Sequence, residues 1–405
     1  MQTTVTRSLD DTGWCRSLTP ADPARPEAGV YRMELVSGVR VWVVAGYDRA
    51  RAALADPRLS KDVTGLTRIM TGHLAAIGAD TELSGMYSPH MLFQDGVEHT
   101  RLRGLVSTEF TRARVDALRP RVAGIVAGLL DPLPVDEPVD LVDALAYPLP
   151  IRVICDLLGV PDADQDRLRG LTEALMDDDN ARNVPASREL HGYFTDLFAA
   201  RRAEPGLDLL SALLDPANAD RLTPDELMAT VFLLFVAGHE TSTNLIGNAI
   251  RWLLEDPDRW RALGADPALA PRALEEVLRF DSPVRMSTHR FTAEPVEYGG
   301  ITIPAGEIVM VWLHDSSRDG SRFTDADHFD PDRRDAAAHL GFGHGPHYCL
   351  GAPLGRMEAL AALTHLARHH PGARLAVPGG DLVRQQSAIM NGYRALPVVL
   401  GPRVG

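Results

Sequence analysis

Apolar residues recur at helical spacing through most of this chain, in segments punctuated by proline and glycine. The earliest clear element is different. Val39-Arg40-Val41-Trp42-Val43-Val44 alternates and is β-branched, which predicts a strand ending at Gly46. Tyr47 to Leu54 predicts a short helix stopped by Pro57, and Glu98 opens a helix that places His99 and Arg103 on one face. Val122 to Leu130, Leu141 to Leu158, Asp164 to Met176 and His191 to Arg202 read as helices, bounded or broken by prolines. Thr223-Pro224-Asp225-Glu226 is a strong helix start: an N-cap, a proline at the first position and a capping-box glutamate. The helix it opens can run to about Glu255, roughly 48 Å. Pro271 to Phe280 and Ala352 to Leu366 predict further helices, and Ile301 to Ile303 and Ile308 to Leu313 predict strands around the turn Pro304-Ala305-Gly306. Pro371 to Gly405 reads as mixed strand and turn.

Two stretches break the pattern. Between Lys61 and Gly96 no period persists, and a long irregular segment inside a folded chain is usually functional. In the middle of the long helix, Phe235-Val236-Ala237-Gly238-His239-Glu240-Thr241 turns abruptly from apolar to polar. An acid and an alcohol in mid-helix cost propensity and burial unless they are used. Ala237 and Gly238 leave a shallow place for a bulky ligand. His239 reads as a satisfied helix histidine.

Composition narrows the class. A net charge of −14 and a pI near 5.4 argue against nucleic acid as a partner. Cys15, Cys155 and Cys349 form no CxxC pair and no even framework, as expected in a reducing cytoplasm. The opening seventeen residues are polar and carry both charges, unlike a signal peptide, and no apolar run reaches membrane-spanning length. Residues 1–29 read as a proline-dotted arm and 30–405 as one catalytic domain, expected to be a monomer.

Chemistry concentrates in Phe342-Gly343-His344-Gly345-Pro346-His347-Tyr348-Cys349-Leu350-Gly351, which runs directly into a helix. Backbone N–H groups and the positive helix end aim at the Cys349 sulfur, so a lowered thiol pKa and a metal-ligating thiolate are expected. Gly343, Gly345 and Gly351 free the backbone for tight turns and for close approach to a flat ligand.

The order Phe, Gly, any, Gly, any, His, any, Cys, any, Gly resembles the haem-binding loop of the cytochrome P450 family. The resemblance extends from about residue 30 to 400. It implies a mainly α fold with small β-sheets, and a haem b between the long helix and the Cys349 loop. Cys349 would be the axial thiolate of the iron. Phe342, Gly343, Gly351, Ala237 and Gly238 would lie against the cofactor, and His99, Arg103, Arg290 and His347 would hold its propionates. Glu240 and Thr241 match the family's acid–alcohol pair, which binds oxygen and relays protons. Glu276 and Arg279 match its Glu-x-x-Arg brace, with Arg333 or Arg334 as third partner. Ser317 stands where the family usually has Asn, a change expected to alter only a local turn.

The resemblance implies monooxygenation of an apolar small molecule, a hydroxylation or epoxidation using O₂. The two electrons would pass from NAD(P)H through a reductase and an acidic ferredoxin, since the chain has no flavin or iron–sulfur motif. Arginines 101, 103, 112, 114, 119 and 121 would guide that donor. Another oxidation on the same scaffold, such as C–C coupling or a peroxygenase reaction, a non-catalytic haem-thiolate gas sensor, and a haem-free structural protein are the alternatives. The Arg-, Ala- and Pro-rich style resembles actinomycete oxygenases of secondary metabolism, so a polyketide or macrolide substrate is expected. Met86, Met91, Leu92, Met286 and Met390 are candidates for a compliant lining. Asp80, Glu82, Asp95 and the run Asp177 to Asp179, with Asp178 at its centre, are candidates for an acidic mouth that takes a cationic amino sugar.

Overall fold

One helix, Pro224–Leu253, passes through the centre of the computed structural model and the other layers are laid against it. The structure describes residues 15–16, 29–35, 37–175, 180–215, 222–385 and 387–404. In chain order the first helices are α1 (Tyr47–Ala55), α2 (Val63–Ala76), α3 (Gly96–Ser107), α4 (Arg112–Ala117) and α5 (Arg119–Leu130). Next come α6 (Pro148–Leu158), α7 (Gln165–Leu175), α8 (Asn180–Ala203), α9 (Leu209–Leu214) and the central α10 (Pro224–Leu253). The last are α11 (Pro257–Ala265), α12 (Ala270–Phe280), α13 (Leu313–Ser316) and α14 (Ala352–His369). No helix among the described residues is long and apolar enough to cross a membrane.

Helix α10 starts as the sequence predicts. Glu226 N donates to Thr223 Oγ1 at 3.2 Å, and Thr223 N donates to Glu226 Oε2 at 2.8 Å. Its faces pack on α6, α8, α12 and α14, which explains an almost continuously apolar run from Val231 to Val236. The core built on it includes Phe194, Phe235, Ile246, Trp260, Leu363 and Leu366.

The strands form a minor layer. The largest sheet joins β1 (Cys15–Arg16), β2 (Val30–Glu34), β3 (Arg40–Val44), β4 (Leu59–Ser60), β6 (Arg290–Thr292) and β9 (Ile308–Val311), in the order β1-β2-β3-β9-β6-β4. β2 and β3 are antiparallel with Arg32 opposite Trp42, and β3 runs parallel to β9 with Trp42 opposite Val309. β5 (Pro138–Asp140), β10 (Arg374–Leu375) and β11 (Pro397–Val399) make a second sheet, and β7 (Val296–Tyr298) pairs with β8 (Ile301–Ile303).

Three expectations are corrected. The segment from Lys61 to Gly96 contains the fourteen-residue helix α2, capped by the Asp62 side chain, which accepts from Gly65 N at 2.8 Å. Leu66, Met70 and Leu74 bury one face of it at i, i+4 and i+8, a period hidden by the threonines and glycines around them. Helix α8 begins eleven residues before His191 and tolerates Pro185 within its first turns. The stretch from Leu141 is not one helix, since a π-turn over Val142–Ala146 precedes α6.

Candidate active site

The cysteine loop is a folded turn that returns on itself. Cys349 N donates to Phe342 O at 2.9 Å, and Gly343 N donates to Leu340 O at 2.8 Å. Gly343 and Gly345 have φ of 74° and 75°, where a side chain would be strained. Gly351 has an ordinary φ of −79°, and its value is space: a Cβ there would stand 4.0 Å from Cys349 Sγ. The sulfur is open to a chamber yet lies deep in the protein. Burial pushes its pKa up, against the Gly351 and Ala352 N–H groups and the Arg103 and Arg356 charges that favour the thiolate. The expected lowering is thus corrected for the thiol by itself: the donors are in place, but burial outweighs them.

The chamber, of ≈ 260 Å³, lies between this loop and α10 and is lined on the helix side by Ala237, Gly238, Thr241 and Ser242. Gly238 also serves packing, because a Cβ there would meet Ile154 Cδ1 of α6 at 3.1 Å. Thr241 Oγ1 donates to Ala237 O at 3.0 Å. Glu240 does not line the chamber. It is buried on another face of α10, where Gln385 Nε2 donates to its Oε1 at 3.4 Å, and burial raises its pKa to about 6. His239 is buried between Phe235 and Tyr147 with Nδ1 2.8 Å from Phe235 O, and burial lowers its pKa to about 4.

At one side of the chamber, basic side chains converge with too few acids to match them. His99 and Arg103 come from α3, Arg290 from β6 and His347 from the cysteine loop. The sequence reading missed a fifth, Lys61, which follows β4 and is 1% exposed. Its Nζ donates to Thr288 Oγ1 at 2.6 Å. Arg103 Nη2 donates to Tyr348 O at 2.6 Å, the rings of His99 and His347 are 4.2 Å apart, and Arg290 Nε and His99 Nε2 are buried with no partner. Burial, and in most cases a neighbouring cation, lowers the pKa of all five, Arg290 to about 10 and His347 to about 4.

Asp95 is the carboxylate nearest this cluster, 3.7 Å from His347 Nε2. Burial would raise its pKa, but bonds from His347, Ser60 and the Lys61 N–H hold it far below the usual range. The two histidines are neutral at pH 7, so the charge to be balanced is that of Lys61, Arg103 and Arg290. Asp95 alone does not match it, and a ligand carrying two carboxylates fits the deficit.

The brace lies behind the loop. Glu276 and Arg279 are both 0% exposed and form two bonds of 2.7 Å. Arg333 is the third partner, with Nε 3.2 Å from Glu276 Oε2, whereas Arg334 is exposed. Ser317 does more than shape a turn. Its carbonyl accepts from Arg279 Nη1 at 3.2 Å, and its Oγ accepts from Leu340 N at 2.9 Å, tying the brace to the start of the cysteine loop.

Of the substrate candidates, Met91 and Leu92 line the chamber with Leu233, Leu234 and Val284. Met86, Met286 and Met390 do not. Met286 is buried in a separate cluster with Met70, Leu74 and Met310, because its side chain leaves the opposite face of the segment that carries Val284. Met86 packs against the main core and Met390 pairs with Val284 by a backbone bridge. The acidic mouth is also corrected: no carboxylate lines the chamber among the described residues. Glu82 pairs with Arg188, Asp80 accepts from Glu82 N, and Asp95 is committed to residues 60–62. Asp177 to Asp179 lie outside the described residues.

The residues present therefore fit a haem: a cysteine facing a chamber, the Thr241 hydroxyl on the helix side of it, and basic side chains short of anions. Comparison with known proteins agrees. The Cytochrome P450 family model matches residues 176–266 and 268–370. The chain is 45% identical over 374 residues to Cytochrome P450 107B1 of Saccharopolyspora erythraea, covering 92% of each. It is 45% identical over 379 residues to the cytochrome P450 monooxygenase PikC of Streptomyces venezuelae, covering 92% of this chain and 88% of that one. The structure of tirandamycin C-bound P450 monooxygenase TamI superposes with a TM-score of 0.86 at 40% identity, covering 92% and 94%. The chain belongs to the cytochrome P450 family and is a haem-thiolate monooxygenase that uses O₂.

Proposed function

We propose that Cys349 would ligate the iron of a haem b, and that His99, Arg103, Arg290, His347 and Lys61 would hold its propionates. The observation that carries this reading is that Cys349 lines one chamber with the basic side chains Lys61, Arg103, Arg290 and His347, which have too few acids to match them. The bound haem supplies the redox chemistry with O₂. The chain supplies the rest. Gly351 and Ala352 N–H groups and the nearby Arg103 and Arg356 charges moderate the electron density on the sulfur. Thr241 spends its own proton on Ala237 O, so its oxygen is free to accept a bond from a molecule in the chamber. Glu240, with its pKa near 6, holds and releases a proton close to neutral pH from the other side of α10.

The substrate is an apolar, uncharged small molecule. Met91, Leu92, Leu233 and Leu234 give it a deformable lining with no acid to anchor a cation. Relatives at 41% and 37% identity are named 6-deoxyerythronolide B hydroxylase and mycinamicin IV hydroxylase/epoxidase, and one at 32% is named a polyketide biosynthesis cytochrome P450. These names favour a polyketide or macrolide substrate, hydroxylated or epoxidised. Electrons arrive from NAD(P)H by way of a reductase and a ferredoxin, and the protein works as a cytoplasmic monomer.

The test is spectroscopic. The reduced carbonyl complex of the wild type should show the absorption band diagnostic of thiolate ligation, and Cys349→Ser should lose it while still binding haem. Retention of that band in the serine variant would overturn the assignment of the ligand.

A further inference from the structure

Behind the chamber wall is a second cavity, of ≈ 100 Å³, with a different chemistry. The segment Pro283 to Thr288 separates the two: Pro283, Val284, Ser287 and Thr288 face the chamber, while Arg285 and Met286 line the cavity behind. Arg285 is only 7% exposed. Its Nε donates to Asn391 Oδ1 at 3.1 Å and its Nη1 to Ser387 O at 3.2 Å, but its Nη2 has no partner among the described residues. Two other residues that line the cavity also keep an unpartnered buried nitrogen, Trp312 at Nε1 and His314 at Nδ1.

The charges there do not balance. The buried carboxylate, Asp281, is already taken: Oδ1 accepts from Asn391, and Oδ2 accepts from Arg384 and Trp252, each at 2.8 Å. Arg318 pairs with Asp327. Arg285 forms no ion pair among the described residues; Asp281 is near enough to favour its charge but is shared with Arg384. The Arg285 pKa, pushed down to about 10 by burial and then by Arg384, leaves it protonated at neutral pH. Two buried guanidinium groups served by one carboxylate leave a costly excess of positive charge. Water would satisfy the loose donors without neutralising the charge, and the volume holds about three waters or one small ion with a water or two.

We propose that this cavity binds a small monovalent inorganic anion of the halide class, held by Arg285 Nη2 and the Trp312 indole N–H. An imidazole tautomer carrying its proton on Nδ1 lets His314 add a third donor. The anion would stiffen the chamber wall from behind. Arg285 grips the turn at Ser387 and Asn391, and Arg285 N donates to Ile389 O at 2.7 Å, so its position sets both that turn and the segment bearing Val284.

The experiment uses the haem-loaded enzyme. Crystals soaked in bromide should give an anomalous peak within hydrogen-bond distance of Arg285 Nη2 and Trp312 Nε1. In solution, chloride or bromide titrated at constant ionic strength against gluconate should raise the melting temperature saturably, by about 2–4 °C. Trp312→Phe, which keeps the ring and removes one donor, should weaken the apparent affinity about tenfold. Arg285→Met should abolish both peak and shift. Overturning results are ordered water alone in the cavity, an adventitious ion only (a peak at molar bromide with no saturable stabilisation), or a stabilisation that Trp312→Phe leaves unchanged.

Discussion

Arg333 places its Nε 3.2 Å from Glu276 Oε2, and the same carboxylate binds Arg279 from one turn along α12. Arg333 also donates to Thr324 O at 2.7 Å, so it ties α12 to the segment that leads into the cysteine loop. Arg333→Ala should cost roughly 1.5–3 kcal/mol and lower the haem-to-protein ratio. Arg334→Ala, at an exposed position, should do neither. Denaturant melts of the two holo-variants, with haem absorbance alongside, check this, and equal effects would place the brace elsewhere.

Lys61 should matter to the cofactor as much as either arginine of the cradle. Lys61→Met removes a buried cation while keeping its apolar stem, so haem transfer to excess apomyoglobin should speed up by about tenfold or more. Arg103→Ala combined with Arg290→Ala should loosen the haem further. A Lys61→Met enzyme that holds haem as long as the wild type would remove lysine from the cradle.

Thr241→Ala should keep consuming NAD(P)H and O₂ while diverting electrons to hydrogen peroxide, because the hydroxyl placed one turn from Ala237 is lost. Product formed per NAD(P)H is the quantity to measure. Coupling as tight as in the wild type would show that Thr241 does not direct protons.

Glu358 gives a dependence on pH. It is fully buried on α14 with no ion-pair partner among the described residues, and burial raises its pKa from 4.5 to about 8 against the opposing effect of the nearby Ser242 hydroxyl. The folded state therefore keeps a proton that the unfolded chain releases. This contribution is fully favourable below pH about 4.5 and is lost as pH rises through 8. Glu358→Gln should be more stable than the wild type at pH 9, with the gap closing near pH 5. Parallel melting curves at the two values decide it.

Delivery of electrons should be sensitive to salt in a particular way. Arg119 and Arg121 are already paired with Asp116 and Asp156, and Arg112 and Arg114 stand 3.8 Å from Asp116 and Glu109. Exposed pairs of this kind contribute about 0–1 kcal/mol, so an acidic donor can displace the internal acids. Reduction by a ferredoxin should slow as salt rises from about 10 mM to several hundred. A flat profile in stopped-flow reduction would mean apolar docking.

Local spacing made much of this legible, and its limits are also local. The cysteine loop, the cap at Thr223 and the pair His99 and Arg103 each carry their meaning within ten residues. Lys61 does not, since its role depends on Thr288 and Arg290, which lie more than 200 residues away in sequence and meet it only because β6 pairs with β4. Glu240 and Thr241 look like one unit, yet adjacent positions on a helix point about 100° apart, and only Thr241 reaches the chamber. Met286 misled for the same reason in an extended segment, where alternate residues face opposite sides. Asp95 resembled a loose acid in a loop because its partners, the amides of Lys61 and Asp62, are invisible to side-chain pattern.

The cation cradle has a consequence for how the protein is made. Lys61 and His99 leave the ribosome early and His347 near the end, so at typical synthesis rates the cradle waits about 15–60 s for its last member. Until haem arrives, the finished chain brings together there three basic groups, Lys61, Arg103 and Arg290, whose charge burial makes costly. On the proposed assignment the cofactor would also be the counter-ion that lets these distant parts of the polypeptide meet. Yield in a host cell should then follow its capacity to synthesise porphyrin, and a culture fed a haem precursor should accumulate more folded enzyme from the same messenger RNA.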